Sequence, residues 1–220
     1  TVPTPKHFYC NNNEAGRMRC SEIVDERSKR EYYLRAFEPT LSAAGAGAAS
    51  FMTSYNAING VPAIFNPDIE RIVRGEWGFE GFVVCDAGAL EAAVIENGYC
   101  TDLAHAAALA LKAGVDNFTE DAALVRKALE GALGAGLIGW PDIDRALARS
   151  LSVRIRLGQL DPPGLDPYAS LGSSAIWSER SRKLALRAAR EALVLLENRG
   201  ESPILPLDPE KAGVVAVIGP

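Results

Sequence analysis

At 220 residues, with 48% hydrophobic and 23% charged positions, the chain has enough apolar material for one large globular domain or one and a half. Its 28 acidic against 23 basic residues give a net charge of -5, which excludes the basic surplus that holds nucleic acid by neutralising phosphates; small neutral ligands remain open. No apolar run approaches the roughly 20 residues needed to cross a bilayer, since the alanine-rich stretch near Leu103 is broken by His105 and Lys112, so neither nucleic acid nor membrane is expected as a partner.

The chain opens on Thr1-Val2-Pro3, without an initiator methionine or a basic-then-apolar signal pattern. The beginning is therefore expected to be missing, and localisation, cytoplasmic or secreted, stays open. Residues 1–8 end in "PTPKHF", and the polar segment "CNNNEAGRMRCSE" follows. Cys10 and Cys20 lie there, with Cys85 and Cys100 further on. The four show no CxxC pair and no zinc-site spacing, so free thiols are expected, with a Cys10–Cys20 bridge as the lesser alternative.

From Asp25 the pattern turns helical, with Tyr33, Phe37 and Leu41 at spacing four. "GAASFMTSYNAINGVP" predicts a strand closed by the turn Asn59-Gly60. A helix opens near Pro67-Asp68, with proline tolerated in the first turn, and carries Ile69, Ile72 and Val73 toward the core. "GFVVCDAGAL" then predicts a buried strand running into Asp86. That carboxylate has two readings: it caps the next helix, or it is catalytic, because parallel α/β folds build their sites at the carboxyl ends of strands.

A helix over residues 101–113, a short strand in "GVDNFT", and helices over 121–135 and 142–157 follow. Strands alternating with helices of this length imply βαβ units and a parallel sheet, and several in succession fit a barrel segment. "LGQLDPPGLDPYASLGSSAIW" has the proline, glycine and serine content of a linker. Beyond it come a helix over 178–192, "ALVLLEN", the loop "ESPILPL" and a last apolar strand "GVVAVIG". The chain is expected to be cut at both ends.

Taken in order, "KHF" with "NNNEAGR", "VDERSKREYYLRAFEP", "MTSYNAINGVPAIFNPDIERIVRGEWGFEGFVVCDAGAL", "ALKAGVDNF", "GLIGWPDIDRALARSLSVRIRLGQLDPP" and "ALRAAREALVLLEN" through "ILPL" to "VVAVIGP" resemble glycoside hydrolase family 3, the β-glucosidase and β-xylosidase family. The resemblance covers nearly the whole chain and implies a (β/α)8 barrel followed by an α/β sandwich. On it, residues 1–158 are the later half of the barrel domain, 159–177 a linker, and 178–220 the first elements of the sandwich. It also implies a retaining exo-acting β-glycosidase that takes a small carbohydrate substrate and needs no cofactor or metal; its oligomeric state is open.

"VVCDAGAL" falls on the family's nucleophile motif, which makes Asp86 the candidate nucleophile. The sequence departs from the motif twice: Cys85 replaces a serine, and Ala87 replaces a tryptophan that would stack on sugar. A retaining mechanism needs a second carboxyl group to protonate the leaving oxygen. The resemblance puts that acid/base outside residues 1–220, so these residues alone are expected to be inactive. The His-Asp alternative of the β-N-acetylglucosaminidases is disfavoured, because "KHFYCNNNEAG" lacks the "KHFPGHG" motif.

By the same resemblance, Lys6 and His7 bind sugar hydroxyls from a strand tip and supply cation and donors to the nucleophile. Adjacent residues of a regular strand face opposite ways, so both reach one ligand only if the strand ends irregularly. Tyr55 matches the family's sugar-site tyrosine and is expected to hold the nucleophile's carboxylate, with a core aromatic as the plainer reading. Glu14 and Arg17 either touch substrate or form an ion pair that braces their loop. Glu76 and Trp77 are expected to pack, Asp116 to lie near a strand tip as a capping group, and Asn56, Asn59 and Gly60 to shape a turn.

Two other readings compete. A catalytically degenerate carbohydrate-binding or scaffold homologue is supported by Ala87 and by the acid/base that the resemblance puts outside residues 1–220. A nucleotide or phosphate enzyme would need a glycine-rich phosphate loop or a dinucleotide fingerprint; no GxxxxGK[ST] occurs, and no dinucleotide fingerprint is expected.

Overall fold

The computed structural model describes residues 1–216 and 218, and the chain divides into two compact units, residues 1–165 and 166–220. The first unit is mixed α/β. Its strands are short: β1 (Ser21–Glu22), β2 (Ser50–Met52), β3 (Ala57–Ile58), β4 (Val61–Pro62) and β5 (Phe82–Val84). β2 and β5 run parallel with Ser50 opposite Phe82 and Met52 opposite Val84. Single parallel bridges extend this pair on both sides, Phe8 to Thr53 and Val84 to Asn117. Four chain segments thus lie side by side in one direction, as the alternating pattern predicts, although the segment around Asn117 forms one bridge rather than a full strand. β1 and β3 make a second parallel pair, with β4 folded back on β3 through Asn59-Gly60.

The helices answer to local chemistry. α4 (Leu103–Ala113) starts where the Asp102 side chain accepts from the His105 amide at 2.8 Å and ends at Gly114, whose φ of 100° few other residues adopt. α5 (Ala122–Gly134) starts where Asp121 accepts from the Ala123 and Leu124 amides. α6 spans Trp140–Arg156 with Pro141 in its first turn. α4 and α5 meet along small residues, with Ala108, Leu111, Ala132, Ile138 and Ala146 in one buried cluster.

Earlier in the chain the expected single helix over 25–41 is broken. α1 (Glu26–Ser28) runs into a π-helical turn, Lys29–Tyr33, and α2 (Glu38–Leu41) is separate. Leu34 and Leu41 are buried there, while Tyr33 and Phe37 are half-buried. The segment that begins at Pro67-Asp68 is also π-helical, Ile69–Glu76, and Ile69, Ile72 and Val73 are fully buried as expected. After β5 comes the short α3 (Ala89–Ile95).

The core of the unit gathers Phe8, Phe51, Ile69, Ile72, Val83, Leu90 and Val115, with Phe8 packed edge-on against Phe37 at 5.1 Å and Phe51 against Phe79 at 5.3 Å. Gly81 precedes β5 because a Cβ there would collide with the Ala49 carbonyl.

Asp116 is not a helix cap. Its buried carboxylate accepts from the Val83 amide at 2.8 Å and pairs with Arg74 at 2.7 Å and Arg149 at 3.2 Å, tying the π-helix and α6 to the middle of β5. Burial pushes its pKa up, and the two guanidiniums and the amide act against that. A second buried carboxylate, Asp68, accepts from the Tyr9 hydroxyl at 2.7 Å and pairs with Lys29 at 2.9 Å. Burial opposes its charge, but the bonds from Lys29, Tyr9 and Arg71 prevail and hold its pKa below the usual carboxylate value. Trp77 is buried as expected; Glu76 instead is exposed and pairs with Arg30.

The second unit contains α7 (Glu179–Ala192), capped by the Ser178 hydroxyl accepting from the Ser181 amide. The strand expected in "GVVAVIG" forms no ladder among the described residues, and Val217 and Gly219 of it lie outside them. A strand needs a hydrogen-bonding neighbour, and none is described beside that segment. Among the described residues no helix is long and apolar enough to cross a membrane.

The fold makes Asp116 a stability residue. Asp116→Ala should lower unfolding free energy by about 3–5 kcal/mol, because it strands buried guanidinium charge and the Val83 amide. Denaturant unfolding of the variant checks this, and a loss under about 1 kcal/mol would mean that the network is solvated.

Candidate active site

Because the four parallel segments share one direction, their carboxyl ends emerge on one edge. His7 precedes the Phe8 bridge, Tyr55 follows β2, Asp86 follows β5, and Glu120 follows the Asn117 bridge. The last three are the positions where α/β folds gather chemistry, and His7 reaches the same edge from one residue before its bridge.

Asp86 occupies a turn, Asp86-Ala87-Gly88, between β5 and α3. Gly88 turns there with a left-handed φ of 80°, a conformation that glycine adopts without steric penalty. One carboxylate oxygen accepts from the Ala87 amide at 2.9 Å, and the other faces His7 Nε2 at 3.2 Å. Both side chains are partly open to solvent, 16% for Asp86 and 25% for His7. The Asp86 backbone carbonyl accepts from the Ala89 amide, yet its side chain binds no amide of α3, so the helix-cap reading of the carboxylate does not describe this geometry.

The segment carrying Lys6 and His7 has no regular ladder before Phe8, and the Lys6–His7 and Phe8–Tyr9 peptide bonds are cis. His7 reaches Asp86. Lys6 is exposed and makes no hydrogen bond or ion pair among the described residues.

The Tyr55 hydroxyl donates to the Ala87 carbonyl at 2.7 Å and so holds the backbone of the turn, while it also lies within side-chain hydrogen-bonding reach of the Asp86 carboxylate. Its phenol pKa is raised, first by burial and then by the nearby charge of Asp86. The Arg17 guanidinium lies 4.9 Å above the Tyr55 ring and pairs with Glu14 at 3.0 Å. The Glu14-Arg17 pair therefore spans its own loop, and through Arg17 it also stacks on the site tyrosine. Glu14, Arg17, Tyr55, Asp86 and His7 form one connected line of contacts, and Lys6 stands beside it in sequence without a contact of its own.

Sequence reasoning missed Glu120. One of its oxygens accepts from the Leu90 amide at 2.9 Å and the other from the Cys85 thiol at 3.3 Å. Its signal was its place just beyond the strand signal "GVDNFT", directly before the Asp121 cap. Cys85 is fully buried, and its other polar groups are also taken: its amide donates to the Asn117 carbonyl at 3.1 Å and its carbonyl accepts from the Thr119 hydroxyl at 2.6 Å. Burial, and next the charge of Glu120, push the Cys85 thiol up to about 12. All four cysteines are free.

The string Gly134-Ala135-Gly136-Leu137-Ile138-Gly139 has GxGxxG spacing, but it ends α5 and leads into α6 instead of following a strand, so it lacks the context of a dinucleotide site. Among the described residues no group of three or more His, Cys, Asp or Glu side chains is arranged to hold a metal ion.

A model of the glycosyl hydrolase family 3 N terminal domain matches residues 1–153. The Aspergillus terreus protein named "Probable exo-1,4-beta-xylosidase bxlB" is 34% identical over 100% of this chain and 28% of its own length. The Arabidopsis thaliana protein named "Probable beta-D-xylosidase 6" is 36% identical over 90% of this chain and 24% of its own. The solved structure of a GH3 exo-β-xylosidase, XlnD, in complex with a xylobiose aziridine probe superposes with a TM-score of 0.85 at 28% identity, over 95% of this chain and 27% of that one. The chain thus spans about a quarter of the length of the relatives it matches.

Burial and the elevated thiol pKa predict that iodoacetamide at about pH 8 leaves Cys85 unmodified in the folded protein and alkylates it on denaturation. Peptide mapping reads the outcome, and rapid modification of Cys85 before unfolding would contradict the packing described for the turn.

Proposed function

The chain belongs to glycosyl hydrolase family 3, and from that membership we propose that the protein is a retaining, exo-acting β-glycosidase whose nucleophile is Asp86. The observation that carries the proposal is the Asp86 carboxylate itself: beyond the end of β5, partly open, with one oxygen on the Ala87 amide and the other facing His7. In this reading the carboxylate attacks the anomeric carbon of a terminal β-linked sugar, the glycosidic oxygen leaves with a proton from an acid/base, and water then releases the sugar with net retention.

Lys6 and His7 are the proposed donors to sugar hydroxyls, His7 touching both nucleophile and substrate. Tyr55 fixes the turn and Arg17 presents its guanidinium over the ring, with Glu14 holding Arg17. The acid/base is proposed to come from sequence other than residues 1–220. Supporting this, both oxygens of Glu120, the carboxylate that reaches the residues flanking the turn, are already acceptors. Xylosides are the first substrates to test, because both curated relatives carry xylosidase names. In the same reading residues 1–158 are the later half of the barrel domain, 159–177 a linker and 178–220 the opening of an α/β sandwich.

Ala87 supports a second reading, a carbohydrate-binding homologue without turnover, because no ring stands at that position to stack on sugar. Asp86→Asn separates the two. It nearly preserves shape but removes charge and nucleophilicity, so kcat on an aryl β-xyloside should fall by about 10³-fold or more with an unchanged melting curve. Near-parental turnover by the purified variant would remove Asp86 from the role. Lys6→Ala and His7→Ala should each lower kcat/KM about 10–100-fold, the worth of one or two charge-assisted hydrogen bonds that tighten in the transition state. Parental efficiency in both would make that pair structural.

A further inference from the structure

We propose that Glu120 is a positioning residue that holds the Asp86 turn at both of its ends. The inference rests on the glycosidase reading for its catalytic consequence, and on geometry alone for the brace. Three residues, Asp86 to Gly88, leave β5 and enter α3, and nothing regular holds them. Cys85 immediately before the turn and Leu90 just after it are the two anchors that Glu120 reaches, one with each carboxylate oxygen, at 3.3 Å and 2.9 Å. A single side chain thereby closes a loop around the candidate nucleophile.

The clamp is itself mounted rigidly. On one side Thr119 donates to the Cys85 carbonyl at 2.6 Å, and on the other Asp121 caps α5 through two amides. Segment 117–121 therefore takes the amide, the carbonyl and the thiol of Cys85 at once and carries the start of the next helix. Cys85 fits the arrangement as a donor: its buried Sγ–H needs an acceptor, and Glu120 supplies one.

Both oxygens of Glu120 accept a hydrogen bond inside the fold, from the Cys85 thiol and the Leu90 amide, so the side chain is turned to the flanks of the turn. A general acid must offer its own proton to the leaving oxygen, so this bonding suits a brace and not a proton donor. The catalytic effect follows from distance: the nucleophile must attack from a fixed position, and a displacement of about 1 Å costs about 10²-fold in rate.

The test uses the complete protein, with Asp86→Asn as the control for the glycosidase reading. Three quantities are measured for the parent, Glu120→Ala and Glu120→Gln: hydrogen exchange at the amides of residues 87–90, thermal melting, and kcat and KM on aryl β-xylosides with good and poor leaving groups. Glu120→Ala should stay folded, exchange the Leu90 amide faster, and lose about 10²-fold in kcat while KM moves less than about threefold, equally for both leaving groups. Glu120→Gln keeps one acceptor oxygen and should lose about tenfold. Unchanged exchange over 87–90, or parental kcat, in Glu120→Ala overturns the brace. A loss much larger for poor than for good leaving groups, with azide raising turnover of the good-leaving-group substrate and yielding the glycosyl azide, also overturns it, because it would make Glu120 the acid/base. If Glu120→Ala fails to fold, the same criteria apply to Glu120→Gln. A parent that turns over no glycoside sinks the glycosidase reading alone, and the exchange comparison then decides the brace by itself.

Discussion

The parallel register of β2 against β5 is the constraint on which the candidate site depends. Ser50 opposite Phe82 fixes where each strand ends, and the Phe8 and Asn117 bridges carry that register to the neighbouring segments. Parallel pairing sends every segment out on the same edge, so residues 7, 55, 86 and 120, far apart in sequence, meet there. A one-residue slip of β5 would turn its side chains to the opposite face and move the following turn away from His7.

The register is held from beneath by charge and from within by apolar packing. Asp116 grips the Val83 amide at the middle of β5 while Arg74 and Arg149 pair with it, and Phe51 and Val83 are buried in one cluster with Ile69 and Ile72 of the π-helix. Ion pairs this deep are costly to desolvate, so their contribution lies less in net stability than in the penalty for any arrangement that leaves one partner alone. Above the strand the contacts are weaker and more open. His7 to Asp86, Tyr55 to Ala87 and Arg17 over Tyr55 are partly solvated contacts, suited to a surface that must exchange water for a ligand.

Much of this was legible in the sequence where the signal is local. The helices expected over 101–113, 121–135, 142–157 and 178–192 are found within two residues at each end, because aspartate and serine caps, a proline and a glycine punctuate them. The reading failed where structure depends on partners distant in sequence. Tyr33, Phe37 and Leu41 share a helical spacing, but the π-helical turn and the break before Glu38 shift the phase, and no residue there announces it. Asp116 looked like a cap because its arginines lie 42 and 33 positions away. The resemblance points Tyr55 to the carboxylate but not to the Ala87 carbonyl, which its hydroxyl also meets because the turn brings that carbonyl beside it. Glu120 went unnoticed because both of its partners, Cys85 and Leu90, belong to another segment and only the fold brings them within reach.

In the proposed glycosidase the carboxylate beyond β5 would form a bond to the sugar. A fluorinated, activated β-xyloside slows release of the glycosyl-enzyme, so the adduct can be mapped by mass spectrometry of the digested complete protein. The account predicts one fluoroxylosyl group, carried on the peptide containing Asp86 and lost when Asp86 is replaced by asparagine. A sugar on a different carboxylate, or saturable binding of the glycoside with no covalent adduct, would contradict it.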